Sequence, residues 1–221
     1  MGCRRRIRSS DAWAYRIASG RRPRPFDYKG PRTAYDYLQT VGKQGKHGVE
    51  FAYKSINTDV MAWVMARVTG HSFARLLQER LWAPLGCEED GYVIVDPTGT
   101  PLAGGGLSAT LRDLARFGEL IRRQGDWNGK QLIPAFAVDD LYNCDHPAKL
   151  SGGYTYRSMW WITHNELGAI EARGLYGQRI HIAPKADMVV ARFASHPLAP
   201  ARYNDVLSVP QMLALGQMLR G

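Results

Sequence analysis

Apolar residues recur at helical spacing through the first two thirds of the chain and at strand spacing through the last third. Residues 20–50 keep no period, because Gly20, Pro23, Pro25, Gly30 and Pro31 interrupt it. Within them TAYDYLQTV predicts a short helix with Tyr37, Leu38 and Val41 on one face. A stronger helix follows FAYKSIN. Asn57 reads as its N-cap, and Asp59 suits the first turn. Val60, Trp63, Val64 and Val68 form its apolar face, and Gly70 ends it. Ser72 caps a second helix, FARLLQERLW, which should stop at Pro84.

DGYVIVD reads as a strand with PTGT as its turn. The glycine-rich LAGGGLSAT then leads into TLRDLARFGELIRRQG. There Thr110 and Asp113 make a capping-box-like start, Leu111, Leu114, Ala115, Leu120 and Ile121 form a stripe, and Gly125 closes the helix. A short helix is expected near Pro134. YRSMWWITH, GAIEARGL, QRIHIAP and DMVVARFAS have strand composition, with PKAD as a hairpin loop between the last two. VPQMLALGQML closes the chain as an apolar helix. Helices, then an antiparallel meander, then a helix define an α+β fold.

Composition refines this picture. The 221 residues are 45% hydrophobic, which is globular rather than disordered. The net charge of +9 could point to nucleic acid, but its placement argues against that. Residues 1–32 hold ten basic groups against Asp11 and Asp27, leaving nineteen basic and eighteen acidic groups for the rest. The expected organisation is a basic, poorly ordered arm over 1–32 and a domain over 33–221. That domain divides into a helical region to about 150 and the sheet with its terminal helix from about 151. With no recognition helix, RNP pattern or zinc spacing, the arm reads as a solvated tail rather than a nucleic-acid binder. No apolar run reaches about 18 residues, so no membrane span is expected. MGCRRRIR has Arg6 where a myristoylation signal needs Ser or Thr, and SSDAWAYRIASG is too polar for a signal-peptide core. Cys3, Cys87 and Cys144 lack CxxC spacing and read as apolar fillers, which fits a reducing, cytoplasmic setting.

The search for chemistry returns an incomplete set. G-x-S-x-G, H-E-x-x-H, the P-loop and G-x-G-x-x-G do not occur. Ser108 in GLSAT reads as part of a helix entry. No serine is followed at three residues by lysine. The six histidines show no i,i+4 pairing, so neither a metal nor another cofactor is expected. Tyr53 and Ser55 stand out at the entrance to the FAYKSIN helix. Tyr53 could relay a proton with Ser55 in the same network, or it could simply pack its ring while Ser55 satisfies turn amides.

Several blocks together resemble serine hydrolases of the beta-lactamase and penicillin-binding-protein superfamily. The likeness is to its class C-like branch, nearest the 6-aminohexanoate-dimer hydrolases and related carboxylesterases. The blocks are FAYKSINTDVMAWVMARVTG, LLQERLWAPLGCEEDGYVIVD, AGGGLSATLRDLARFGELIRRQG, YRSMWWITHN, EARGLYGQRIHIAP and VVARFASHP. The resemblance implies cleavage of small amides or esters through an acyl-enzyme, with no cofactor. It implies that Tyr53-Lys54-Ser55 is the second family motif, with Tyr53 and Ser55 as its catalytic residues. Arg173-Gly174-Leu175 would be the third motif, with the Leu175 amide as an oxyanion donor and Gly174 letting substrate lie along the strand. Trp161 would wall the substrate cleft, with Trp160 on the opposite strand face. Tyr176 stands where relatives carry histidine in G-I-H-G-Q. The first motif, S-x-x-K, which supplies nucleophile and base, has no counterpart here. The expectation is therefore an N-terminally truncated, inactive partial domain with exposed apolar surface and marginal stability. A non-catalytic ligand-binding module is the alternative, and the oligomeric state is left open.

Overall fold

A computed structural model describes residues 9–43, 45, 46, 49, 51–143 and 152–220. The basic start, Cys3, Cys144, His47 and His146 lie outside those residues. The chain forms two units: Met1–His47, Ala52–Arg80 and Asp90–Ser108 make the first, and Gly48–Phe51, Leu81–Glu89 and Ala109–Gly221 the second.

In the first unit α1 spans Ser9–Ala18, within the stretch expected to be poorly ordered, and Ile17 and Ala18 are buried. α2, Ala34–Gln39, has a capping box. The Thr33 hydroxyl accepts from Asp36 N–H at 3.1 Å, and the Asp36 carboxylate accepts from Thr33 N–H at 3.2 Å. α3 covers Ile56–Thr69 and ends, as its sequence predicts, at a left-handed Gly70. Its start differs from the sequence reading. Ser55, not Asn57, occupies the N-cap, and its side chain makes no capping bond. The chain is already wound there, since Asn57 N–H bonds Lys54 C=O and Thr58 N–H bonds Ser55 C=O, each at 3.1 Å.

The apolar face expected of α3 is not buried. Val68 is 80% exposed, and Val60, Trp63 and Val64 are also open, while Asp59 and Ala62 are the residues that α3 buries. The Tyr35 ring, 5.5 Å from Trp63, covers part of that face.

α4 is Phe73–Leu77, with Ser72 accepting from Arg75 N–H. The helix does not stop at Pro84. A π-turn over Gln78–Trp82 leads into α5, Ala83–Leu85, whose first turn accommodates the proline ring. The DGYVIVD strand shrinks to β1, Tyr92–Val93, paired antiparallel with β2, Leu107–Ser108. The Asp96 carboxylate organises the PTGT turn by accepting Thr98 N–H and Thr100 N–H, both at 2.9 Å.

In the second unit α6 runs over Leu111–Arg122, with Thr110 as N-cap. Leu120 and Ile121 are buried as the stripe predicts, but Leu111 is 44% exposed. A small hairpin joins β3, Asp126–Trp127, to β4, Lys130–Gln131, and α7 covers Ala135–Tyr142. Five strands follow: β5 Thr155–Arg157, β6 Trp160–Ile162, β7 Ile170–Arg173, β8 Arg179–Ala183 and β9 Met188–Arg192. They pair antiparallel in chain order. YRSMWWITH, read as one strand, is instead the β5–β6 hairpin. Ser158 and Met159 both take positive φ in the two-residue turn that type I′ geometry requires. The PKAD loop falls where expected, between β8 and β9. α8 spans Arg202–Arg220 and continues through Pro210.

Alternation along the strands divides the sheet into two faces. Trp160, Ile162, Ile170, Ile180 and Ile182 join Ile121 of α6 and Val138 and Leu141 of α7 in the main core. Met188 and Ala183 join Leu167 in a smaller core, with Leu213 of α8 packed against it. The helices and antiparallel sheet together are an α+β fold.

Candidate functional site

The first unit holds Tyr53 and Ser55. Tyr53 lies in the loop before α3 and is 54% exposed, so its hydroxyl-bearing ring is not a core residue. The α3 entrance that follows it is anchored by Asp59, which is buried in the first turn of that helix. One Asp59 oxygen accepts from the Tyr15 hydroxyl, and the other accepts from Gly104 N–H at 2.9 Å. Asp59 therefore acts as a tertiary anchor as well as a favourable charge at a helix start. Burial, reinforced by the Asp59 carboxylate, pushes the Tyr15 phenol well above its ordinary range, so Tyr15 donates as a neutral hydroxyl.

The glycine-rich run finds its reason in the same place. A Cβ on Gly104 would lie 2.8 Å from Ser55 C=O and 3.3 Å from the Asp59 carboxylate. Gly104 is thus a close-approach glycine that lets the loop lie against the α3 entrance. Tyr15, Asp59 and Gly104 escaped the sequence reading as a group. No local pattern links residues 44 and 45 positions apart.

The second unit holds Trp161, Gly174, Leu175 and Tyr176. Gly174 closes β7. Its N–H bonds Gln178 C=O at 2.9 Å, and a Cβ there would meet the Gln178 Cβ at 2.8 Å. Leu175 begins a single 3₁₀ turn rather than continuing the strand, and its carbonyl accepts from Gln178 N–H at 3.3 Å. Its side chain is 57% exposed. Tyr176 adopts left-handed φ of 58°, and its main chain is held from both sides, by Ala199 C=O at 2.9 Å and His196 N–H at 3.0 Å. This turn fixes the backbone just past the strand end.

Trp160 and Trp161 point to opposite faces, as their neighbouring positions require. Trp160 is buried in the main core, while Trp161 is partly exposed on the other face. Trp161 packs edge-on to Tyr156 at 4.9 Å, Phe51 at 5.6 Å and Tyr154 at 6.4 Å between ring centroids. The Arg173 guanidinium sits 3.9 Å from the Tyr154 centroid and 5.3 Å from that of Trp161.

Arg173 also belongs to a buried charge network. Glu171 accepts from Arg173 Nε at 2.7 Å, from Arg179 Nη1 at 3.0 Å and meets His181 Nδ1 at 2.8 Å. Asp205, in the first turn of α8, takes the second arms of Arg173 and Arg179. Burial works against charge on Glu171, but the His181 hydrogen bond and the Arg179 and Arg173 charges outweigh it and hold the carboxyl at about 2.

The other candidate chemistries fare as follows. His164 Nε2 hydrogen-bonds the Thr155 hydroxyl at 2.8 Å, and His196 Nδ1 engages Leu198. Cys87 is pushed up to about 11 by burial, with Asp113 adding and Arg116 opposing, so it is a poor nucleophile near neutrality. Among the described residues no three His, Cys, Asp or Glu side chains gather as metal ligands. Among them, too, no helix is long and apolar enough to cross a membrane.

With this geometry in place, comparison with known proteins identifies the family. The Beta-lactamase family model matches residues 13–207, and the chain belongs to that family. It is 35% identical over 181 residues to the 6-aminohexanoate-dimer hydrolase of Paenarthrobacter ureafaciens, covering 78% of this chain and 46% of that protein. A solved Bacillus anthracis protein assigned as a 6-aminohexanoate-dimer hydrolase superposes with a TM-score of 0.88 at 35% identity, covering 99% of this chain and 57% of its own. The octameric penicillin-binding protein homologue from Pyrococcus abyssi shares the fold at 18% identity and a TM-score of 0.62, covering 93% of this chain and 52% of its own. The chain thus spans about half the length of these relatives.

Proposed function

We propose that this chain carries the tyrosine motif and the substrate-side strand of a serine hydrolase that cleaves small amides or esters through an acyl-enzyme. The observation that supports it most is the joint occurrence of Tyr53-Lys54-Ser55 and Arg173-Gly174-Leu175 in a chain 35% identical to a 6-aminohexanoate-dimer hydrolase. That relative's name specifies an amide substrate. In the reaction, a serine attacks the acyl carbon, lysine and Tyr53 share the displaced proton, the amine or alcohol leaves, and water releases the acyl group. Leu175 N–H is the oxyanion donor on this side. Such a donor contributes about 3–4 kcal/mol of transition-state stabilisation in other acyl-transfer enzymes.

S-x-x-K does not occur in these 221 residues, so the chain by itself does not acylate. Incubation with a fluorophosphonate probe and with p-nitrophenyl acetate tests this. Background hydrolysis and an unmodified mass are expected, whereas serine-dependent turnover overturns the reading.

A second reading, a non-catalytic ligand-binding module, draws on the partly exposed cluster of Phe51, Tyr154, Tyr156 and Trp161. It requires a cooperative melt that rises with added amide ligand and a response lost in Trp161→Ala.

A further inference from the structure

The face of the sheet that bears Trp161 carries an unusual row. Arg173 on β7 stands directly opposite Arg179 on β8, and Arg179 stands opposite Arg192 on β9. Directly opposed residues on neighbouring antiparallel strands share a face, and their Cβ atoms lie about 5 Å apart. Like charges so placed repel, and three guanidiniums in one rank need counter-charge.

The chain supplies part of it. Glu171 and Asp205 each pair with both Arg173 and Arg179. Among the described residues Arg192 has no carboxylate partner. Three positive groups against two negative ones leave an excess of one, before any charge on His181. The donors show the same shortfall. Among the described residues Arg173 Nη2, Arg179 Nε and Arg192 Nη1 are buried without a hydrogen-bond partner. The side chain of Arg179 is fully buried and that of Arg173 is only 10% exposed, so bulk water has little access to them. Leaving several such donors unpaired in one patch is costly. Ordered water can satisfy single N–H groups, but it does not neutralise the third guanidinium.

From this row we infer that the Arg173–Arg179–Arg192 patch is a binding site for a small monocarboxylate. The guanidinium fork matches a carboxylate with two parallel N–H bonds, and one negative charge balances the excess. Arg192 is half-buried on the last strand of the sheet, so it offers the approach from solvent. The two inner arginines are already committed to Glu171 and Asp205. Arg192 is therefore the residue on which binding depends most. The site shares Arg173 with the Arg173-Gly174-Leu175 strand, but it needs neither the nucleophile nor Tyr53.

The test is calorimetric titration of the 221-residue chain with sodium acetate, against sodium chloride at matched ionic strength, with thermal melts alongside. Acetate should bind saturably at one site and raise the melting temperature, with chloride producing less of either. Arg192→Gln should weaken acetate binding at least about tenfold, the loss of one charge-assisted hydrogen-bonding group. Arg192→Lys keeps the charge but not the fork and should fall between the two; it decides the matter if the glutamine variant does not fold. An absence of saturable acetate binding, equal effects of chloride and acetate, or unchanged affinity in Arg192→Lys overturns the inference. A failed acetate titration leaves the hydrolase reading untouched, since that reading is judged by acylation.

Discussion

Replacing Glu171 by glutamine should be among the most damaging isosteric changes in the second unit. The carboxylate is fully buried and accepts from two guanidiniums, with His181 Nδ1 as its third partner. Each charge-assisted bond contributes about 1.5–3 kcal/mol net. Glutamine keeps one acceptor oxygen but presents an NH2 group to donors, and it leaves the buried arginines with Asp205 alone. Breaking a buried ion pair from one side costs about 3–5 kcal/mol, because the remaining charge is stranded. Urea denaturation followed by circular dichroism measures it. With a slope of about 2 kcal/mol per molar for a chain of this size, the midpoint should fall by about 2 M. Glu166→Gln is the control. Glu166 is exposed, its contact is a single bond to Gln217, and it should move stability by less than about 0.5 kcal/mol. A Glu171→Gln midpoint within about 0.5 M of the parent would refute the reasoning, since the network would then not be holding β7, β8 and α8 together.

The same carboxyl sets an acid dependence. Its folded value of about 2 lies below the ordinary 4.5, so its stabilisation is complete above pH 4.5 and is lost as pH falls toward 2. That contribution is about 3 kcal/mol, and urea midpoints taken between pH 5 and 2.5 should lose this step in Glu171→Gln alone. Tyr15→Phe should destabilise the first unit by about 1–3 kcal/mol, because it removes one of the two donors that satisfy buried Asp59. Hydrogen exchange of the α3 amides reports it, and unchanged protection would count against the anchor. Gly104→Ala should cost about 1–3 kcal/mol through the collision with Ser55 C=O, and a neutral thermal shift would show that the loop has room to move. The exposed α3 side chains Met61, Trp63, Val64 and Val68 should bind the dye ANS in the native chain; no fluorescence rise would mean that this surface is covered in solution.

The sequence made the α+β class, the Gly70 and Thr110 helix boundaries and the last three strands legible, because each rests on a local signal. It missed the β5–β6 hairpin, since Ser158 and Met159 carry positive φ without the asparagine or glycine that normally announces such a turn. It placed the α3 cap two residues late, because Asn57 has the better capping chemistry and Ser55 the actual position. Periodicity identified the apolar face of α3 but had no means of saying whether anything lies against it. The candidate motif residues were named from resemblance. The contacts around them were not legible in the sequence, because Asp59 reaches Tyr15 and Gly104, and Glu171 reaches Asp205 through Arg173 and Arg179, across long sequence separations.

The central claim is that a chain of this family carrying Tyr53 and the Arg173-Gly174-Leu175 strand, but no S-x-x-K, has no acylating serine of its own. Intact-mass analysis after exposure to a fluorophosphonate tests it most directly. The account predicts the unmodified mass of the 221-residue chain. A stoichiometric adduct on any one of its serines would contradict it.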